Sequence, residues 1–341
     1  MKQGFRGWVP LALMVLLMVI IGAYTQSKES SFLSAFSLQG LFIAAIPLSL
    51  AAMGQTNALM VRCFDVSIGA LITLAVVIAS FTIPDPSSFG GVILGMLAVI
   101  GACLVVGLGN ILLTKVLGLS SIIATLATYS ILTGVALWLR PTPDGSISLD
   151  FADFMLTSIG GLMPVGFLVV AAAAILGDLW LYRTGGGLMT RAVGLDDTSA
   201  GRLGAKVGSV FVRALIISSL AAAAASFFLS SQVLVGDPNV GLSYTLTSIA
   251  AAVLGGASLA GGRGSYVGAV IGAVFLTEIV VIVPFIGLHS SWAQMLIGAL
   301  TLLALTFYQA PQILGRLRTA RSDHTAAPPR AEAPTAQAPV A

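Results

Sequence analysis

Charge is what this sequence has least of. Aspartate, glutamate, lysine and arginine make up 9% of the 341 residues, where a soluble domain carries roughly 25%. So few charges cannot build a water-facing surface, and lipid must solvate much of the chain. Histidine is almost absent: His289 and His324 stand far apart, and neither has a second histidine at ligand spacing. The two cysteines, Cys63 and Cys103, are also distant from one another, each in or beside an apolar run, and read as two free thiols. No HExxH, Ser–His–Asp set or Cys–His pair can be assembled, so neither a catalytic site nor a metal or cofactor site is expected. No GxxxxGK[ST] occurs either, so ATP is not bound here through a P-loop, and energy drawn from ATP must come through another polypeptide. The net charge of +3 could suggest nucleic acid. However, the basic residues sit in short loops between apolar runs, where they set orientation in a membrane, and no nucleic acid is expected.

What the chain does have is apolar length. Hydrophobic residues make up 57% of it, and its mean hydropathy is +1.02. A spanning helix needs roughly 20 mostly apolar residues. By that measure the spans fall at 8–25, 37–54, 65–83, 90–113, 121–139, 161–181, 209–229, 245–260, 265–284 and 291–308. The expected fold is an all-α integral membrane protein of about ten transmembrane helices. The eighth and ninth, on either side of Gly261-Gly262-Arg263-Gly264, are candidates for short or broken helices. The first run, from Trp8 to Tyr24, is longer than a signal-peptide core, and no small-x-small cleavage site follows it cleanly, so it is expected to stay as the first helix.

Charge placement then orients the chain. With the N-terminus inside, Lys2, Arg6, Arg62, Lys115, Arg183, Arg191, Arg202, Lys206, Arg263, Arg316, Arg318, Arg321 and Arg330 are cytoplasmic, and only Lys28 and Arg140 are external. That is the positive-inside asymmetry, and both termini are then cytoplasmic. The permease domain runs over residues 1–310, with a cytoplasmic loop at 182–208. The tail 311–341, basic and then rich in Ala and Pro, is expected to be disordered.

Four clusters of small or polar residues carry the candidate chemistry. Around Asp65, Ser67 and Gly69, an ionisable residue beside a span suggests function. Asp65 also suits the N-cap of a helix beginning at Val66, with Arg62 pairing to it across one turn. Thr125 and Thr128 share a helix face that could bond a sugar, or equally their own helix or a neighbour. The run containing Gly255, Gly256, Gly262, Arg263 and Gly264 suits either a tight turn with close helix packing on both sides or a break lining a solute pathway. In the cytoplasmic loop, Asp196 or Asp197 can cap a short helix that passes Thr198, Ala200 and Arg202 and stops at Gly204, a plausible dock for a soluble partner. Two acids remain: Asp178 near the inner end of its span, and Glu278 in mid-span, which could serve a proton relay.

Four stretches in order resemble one family. "IAAAVLGGASLAGGRGSYVGAVIGAVFL" is similar to the Ala-Ala-x-x-Leu-Gly-Gly-x-Ser-Leu-x-Gly-Gly-Arg-Gly-Ser signature of ribose-type, or monosaccharide, ABC importer permeases, within the larger group of branched-chain amino acid and sugar permeases. "FDVSIGALITLA" resembles that family's Ile-Asp-Leu-Ser-Val-Gly motif, "SSIIATLATYSILTGVAL" its next helix, and "RAVGLDDTSAGRLG" its coupling loop. The resemblance covers roughly Leu38 to Phe307. It implies a bacterial inner-membrane permease that is itself not an enzyme and moves a small polar solute by alternating access. It further implies a second permease subunit, identical or related, and a periplasmic solute-binding protein. A cytoplasmic ABC ATPase would dock on Asp197, Thr198, Ala200, Arg202 and Gly204. Spans two to five would form an inverted repeat with spans seven to ten. The translocation and gate residues would be Asp65, Ser67, Gly69, Thr125, Thr128, Gly255, Gly256, Gly262, Arg263 and Gly264. The chain departs from the family pattern at Arg62 and Cys63, where two glycines are usual, and at Leu195-Asp196, where Gly-Asn is common. Rival expectations are an ion-coupled secondary transporter using Glu278 or Asp65, or an importer of amino acids, nucleosides or a signalling sugar. The sequence leaves the solute open.

Overall fold

Apolar runs this long must satisfy their backbone internally, and helices do so within one segment. The computed structural model describes residues 2–289, 291–299 and 302, with side chains from residue 11 onward. Its elements in order are α1 (Lys2–Lys28), α2 (Ala35–Met60), α3 (Ile68–Thr82), α4 (Phe89–Ile111), α5 (Ser121–Leu139), α6 (Leu149–Leu156), a two-residue hairpin of β1 (Ser158–Ile159) and β2 (Met163–Pro164), α7 (Val165–Arg183), α8 (Gly185–Leu195), α9 (Asp197–Arg202), α10 (Val207–Val233), α11 (Tyr244–Leu254) and α12 (Tyr266–Phe285). Residues 291–299 are helical again. The 311–341 tail and the end of the tenth expected span lie outside the described residues.

Seven of these helices are long and apolar enough to cross a membrane among the described residues: α1, α2, α4 with its π-helical extension Leu112–Val116, α5, α7, α10 and α12. Two more are apolar but short, α3 and α11. At 1.5 Å per residue these reach only about 22 and 16 Å, against a hydrocarbon core of about 30 Å. The expected spans at 65–83 and 245–260 are thus trimmed, α3 at its start and α11 at its end. The glycines at 255–264 form no helix at all.

The centre belongs to α2 and α10. Gly54 of α2 lets the backbone of Ser218 on α10 approach, so that a Cβ at Gly54 would stand 2.9 Å from Ala221 and 3.3 Å from Ser218. Around this pair α3, α11 and α12 are largely buried. In contrast α4, α5 and α7 turn Leu94, Leu97, Val105, Ile123, Ile131, Val169 and Leu176 outward. Outward apolar faces on helices of this length are what a hydrocarbon solvent allows and water does not.

Loops gather at two ends. At one, Arg140 pairs with Asp144 at 3.1 Å and lies over Phe81, and the Asp85 carboxylate accepts from the Leu149 N–H of α6. At the other lie the end of α2, the start of α3, α8, α9 and the glycine-rich loop, with Arg62, Arg191 and Lys115.

Residues 234–243 fall in the gap between the expected spans 209–229 and 245–260, but part of that gap is buried. This segment is not helical, and it runs beside α3 from Gly236, packed on Ser80, to Gly241, whose N–H donates to Thr73 Oγ1 at 3.1 Å. Gly236, Pro238 and Gly241 are buried. Irregular backbone at this depth is stable only when covered by protein, and here α3 covers it.

Candidate functional site

The segment between α2 and α3 turns at Arg62. Val61 ends α2, the Cys63 N–H returns to Ala58 O at 2.9 Å, and the Arg62 N–H returns to Leu59 O at 2.9 Å. This is a Schellman turn with the left-handed position filled by Arg62, at φ 58°. A residue with a Cβ pays about 1 kcal/mol or more there, and glycine does not.

Three residues on, Asp65 is buried and collects hydrogen bonds. Its Oδ1 accepts from the Ser67 N–H at 3.1 Å and the Ser67 hydroxyl at 2.6 Å, and its Oδ2 accepts from the Ser218 hydroxyl of α10 at 2.8 Å. The Ser67 oxygen in turn accepts from Asn110 Nδ2 of α4 at 2.9 Å, and Asn110 Oδ1 accepts from the Thr128 hydroxyl of α5 at 2.7 Å. Every donor in this chain points toward Asp65, an order in which each bond polarises the next. One carboxyl group therefore ties the start of α3 to α4, α5 and α10. The local geometry differs from the sequence expectation: α3 begins at Ile68, not Val66, and its N-cap Ser67 makes no side-chain capping bond. Asp65 instead folds back on Ser67, and Arg62 turns away from it to other partners.

Thr125 holds the same segment from the other side. Its hydroxyl bonds Phe64 O at 3.0 Å and Ser121 O at 2.8 Å and receives the Val66 N–H at 3.1 Å. Of the two readings of the Thr125 and Thr128 face, the geometry is the one in which the hydroxyls bond their own helix and its neighbours.

Gly69 is the second residue of α3. A Cβ there would run into the Thr245 hydroxyl, the Thr245 N–H (2.7 Å) and Gly241 O (2.8 Å). The N-termini of α3 and α11, the two short helices, thus meet at a glycine. Thr245 is itself buried, and its hydroxyl has no hydrogen-bond partner among the described residues.

The glycine-rich loop begins with another Schellman turn: Ala257 N–H to Ala252 O at 2.9 Å and Gly256 N–H to Val253 O at 2.9 Å, with Gly256 at φ 95°. Gly255 packs directly on the Gly268 backbone, and Gly272, one turn along α12, packs on Ala251. This is small-xxx-small packing between α11 and α12. Further on, the Gly262 N–H donates to Met60 O, the last residue of α2, at 2.9 Å, and Gly264 O accepts from Tyr182 Oη of α7 at 2.9 Å. Gly261 and Gly262 both have positive φ and face Gly194 and Leu195 of α8. Arg263 is exposed at the tip. The loop is a tight turn that clasps the end of α2 to the end of α8.

The expected short helix is α9. Its N-cap is Asp196, whose Oδ1 accepts from Thr198 and Ser199 N–H at 3.0 and 3.1 Å and whose Oδ2 accepts from the Ser199 hydroxyl at 2.7 Å. The Ser199 hydroxyl and N–H, ahead of the Thr198 N–H and the nearby Arg62, hold the Asp196 carboxyl below its ordinary value. The helix ends in a third Schellman turn at Gly204, φ 89°, with Ala205 N–H to Ala200 O at 3.0 Å. Ala200 is buried, while Asp197, Thr198, Arg202 and Gly204 are exposed. Beside them Leu203 is 84% exposed, Leu188 58% and Leu195 57%. That is an apolar surface with charged neighbours, in the loop between α7 and α10.

Three participating residues, Asn110, Ser218 and Arg213, stand outside the sequence reading, and Asp178, singled out there, finds its role. Asn110 and Ser218 complete the Asp65 network. Arg213, inside α10, donates to Gly186 O and Thr190 Oγ1 at 3.0 and 2.7 Å and stacks over Trp180, fixing α8 to the bundle. Asp178 of α7 caps α12 across the helix interface, accepting from Tyr266 N–H and Ser265 Oγ at 2.7 Å each. A lone amide or cation in an apolar helix was the available signal for Asn110 and Arg213. A cavity of about 570 Å³ lies between α2, α7, α10 and α12, bordered by Arg213, Trp180 and Tyr266. Among the described residues no group of His, Cys, Asp and Glu could hold a metal ion, and both cysteines are free and buried.

A helical bundle centred on α2 and α10, with seven helices among the described residues long and apolar enough to cross a membrane and its loops tied together by backbone contacts, is that of a multi-pass membrane protein. The family described as branched-chain amino acid transport system / permease component matches residues 37–305, and the chain belongs to it. Among curated proteins it is similar to the autoinducer 2 import system permease protein LsrC of Klebsiella pneumoniae, 32% identical over 84% of this chain and 81% of the relative. The LsrC proteins of Salmonella typhi and of Escherichia coli (strain K12 / DH10B) are each 29% identical over 93% of this chain, covering 88% and 89% of their own lengths. No solved structure matches. The resemblance to sugar-type ABC permeases read from the motifs is thereby borne out, and the chain is a multi-pass inner-membrane permease.

Proposed function

We propose that this chain is the membrane subunit of an ABC importer that moves a small polar solute into the cytoplasm by ATP-driven alternating access. The solute is a monosaccharide or a sugar-like signal of the kind named for its relatives. The observation that carries this reading is the direct joining of three loops: α9 and its exposed apolar surface follow α8, α8 meets the glycine-rich loop, and that loop bonds the end of α2 just before the Asp65 hub. A force applied at α9 therefore reaches the segment that anchors α3, α4, α5 and α10.

In this reading the α8–α9 end is cytoplasmic, as its excess of Arg and Lys favours. Both termini are cytoplasmic as well, and α3 and α11 complete ten spans with the helix that starts at residue 291. The repeat α2–α5 against α10 and the helices after it pairs α3 with α11, the two short members, which meet at Gly69 and Thr245. Discontinuous elements at matching positions of two halves are a usual place for a gate. An ABC ATPase docks on Asp197, Thr198, Ala200, Arg202 and Gly204, a binding protein delivers solute to the opposite face, and a second permease subunit completes the pore. Asp65, Ser67, Gly69, Thr125, Thr128, Gly255, Gly256, Gly262, Arg263 and Gly264 form the gate and its supports.

The test is ATP hydrolysis in nanodiscs by this chain with its ATPase, with and without loaded binding protein. Stimulation by the loaded protein that disappears in Arg202→Glu and Gly204→Glu supports the reading. Failure to associate with any ATPase, together with gradient-driven uptake by the chain alone, overturns it. That second outcome would favour an ion-coupled transporter, whose structural support is Glu278: it is buried in α12, and its Oε2 has no partner among the described residues.

A further inference from the structure

We infer that Arg62 is a positioning residue for transport coupling: a strut that locks the α8–α9 unit and the glycine-rich loop to the Asp65 hub, so that the three move as one body. The inference rests on the reading that α9 receives the ATPase.

Arg62 holds a backbone position that costs free energy for any residue but glycine, and its side chain supplies the compensation. The Nε and Nη2 donors lie on one edge of the planar guanidinium, a rigid fork. Nε donates to Ala260 O in the glycine-rich loop at 3.1 Å, and Nη2 donates to Leu195 O at the end of α8. The two acceptors are 198 and 133 residues away in sequence. One side chain thus bridges two segments that also meet at Gly194, Gly261 and Gly262, and its Cγ lies against Gly261.

The bridge stands at the right place to transmit movement. On one side Leu195 is followed at once by Asp196, the N-cap of α9. On the other, Arg62 is two peptide units from Phe64, whose N–H and C=O are held by Ser121 and Thr125, and three from Asp65. Without the fork, the Gly262 N–H to Met60 O bond still ties the end of α2 to this loop. A backbone hydrogen bond is a hinge as easily as a tie, whereas two bonds from a planar group fix both distance and angle.

The test uses Arg62→Gly, which suits the left-handed turn better than arginine and so keeps the fold, and Arg62→Lys, which keeps the charge but cannot reach two carbonyls through a fork. In the detergent-solubilised chain, amide hydrogen exchange at residues 194–196 and 259–262 should rise about ten-fold in Arg62→Gly, with the thermal midpoint unchanged or raised. In nanodiscs with ATPase and loaded binding protein, solute moved per ATP hydrolysed should fall about five-fold or more in both variants while hydrolysis continues. A purely structural arginine would leave that ratio unmoved. Unchanged exchange, an unchanged ratio in Arg62→Gly, or full rescue by Arg62→Lys overturns the strut while the permease reading stands. A wild-type chain with no ATP-driven uptake overturns the permease reading and the strut with it.

Discussion

Asp65 receives three hydrogen bonds while buried, and that fixes what its replacement should do. Asp65→Ala strands the Ser67 N–H, the Ser67 hydroxyl and the Ser218 hydroxyl, all in a dry site. An unmade buried bond costs about 1–3 kcal/mol, so the variant should lose about 2 kcal/mol or more of stability. Asp65→Asn keeps the Oδ1 acceptor and lets Ser218 turn to accept, so it should lose much less. Thermal unfolding in detergent measures both, and equal losses would remove the network from the account. Gly69→Val places three carbons where Thr245 and Gly241 stand, and backbone cannot yield as a side-chain tip does. The expected result is a folded chain with strongly reduced uptake, read in vesicles, and full uptake would remove the α3–α11 contact from the gate. Polar residues in apolar runs, such as Asp65, Thr125 and Thr128, were legible in the sequence because lipid makes each an anomaly. Their partners Asn110 and Ser218 were not, since nothing local says that α4 and α10 converge on one carboxyl. The expected Arg62–Asp65 pair failed for a related reason: sequence neighbours i and i+3 face each other only on a helix, and here the chain has left it.

At the scale of elements, the local signals that worked were caps. Asp196 and Gly204 bracket α9 almost as the sequence suggests, because an N-cap carboxylate and a left-handed glycine each act within one turn. The structure adds α8, which starts in three glycines that argue against any helix and is held by Thr184 and Arg213 instead. The loop at 234–243 falls between two expected spans, whereas its burial against α3 is a tertiary contact that no local signal reports. The Asp196 cap carries a pH prediction. Its carboxyl is held below its ordinary value by hydrogen bonds that exist only when α9 is folded. A depressed folded value means that the stabilisation is complete above the unfolded value and disappears as pH falls through the folded one. A carbon-13 titration should therefore find Asp196 titrating below a free aspartate. Asp196→Ala should fray α9 and reduce ATPase stimulation, while Asp196→Asn, a good cap, should keep it. Equal behaviour of the two substitutions would detach the cap from coupling.

For the whole molecule, the scarcity of charge decided the class, and the outward leucines and valines of α4, α5 and α7 meet that expectation. It also makes every buried acid informative. Asp178 is explained by the start of α12, which it caps. Glu278 is not: it lies between α12 and α1, its Oε1 3.3 Å from where a Cβ at Gly22 would be, and its Oε2 has no partner among the described residues. An ATP-driven permease has no need of this acid for energy, whereas an ion-coupled transporter would carry its ion on such a group. Glu278→Gln keeps the shape and removes the ability to ionise. Under the permease reading, ATP-driven uptake should stay within about two-fold of the parent, because the contacts proposed to carry coupling lie at α2, α8, α9 and the glycine-rich loop. Under the rival reading, gradient-driven exchange should vanish while solute binding survives. Measuring both kinds of uptake in one vesicle preparation separates them, since ATP and the ion gradient can be supplied independently and each reading predicts a loss in only one arm.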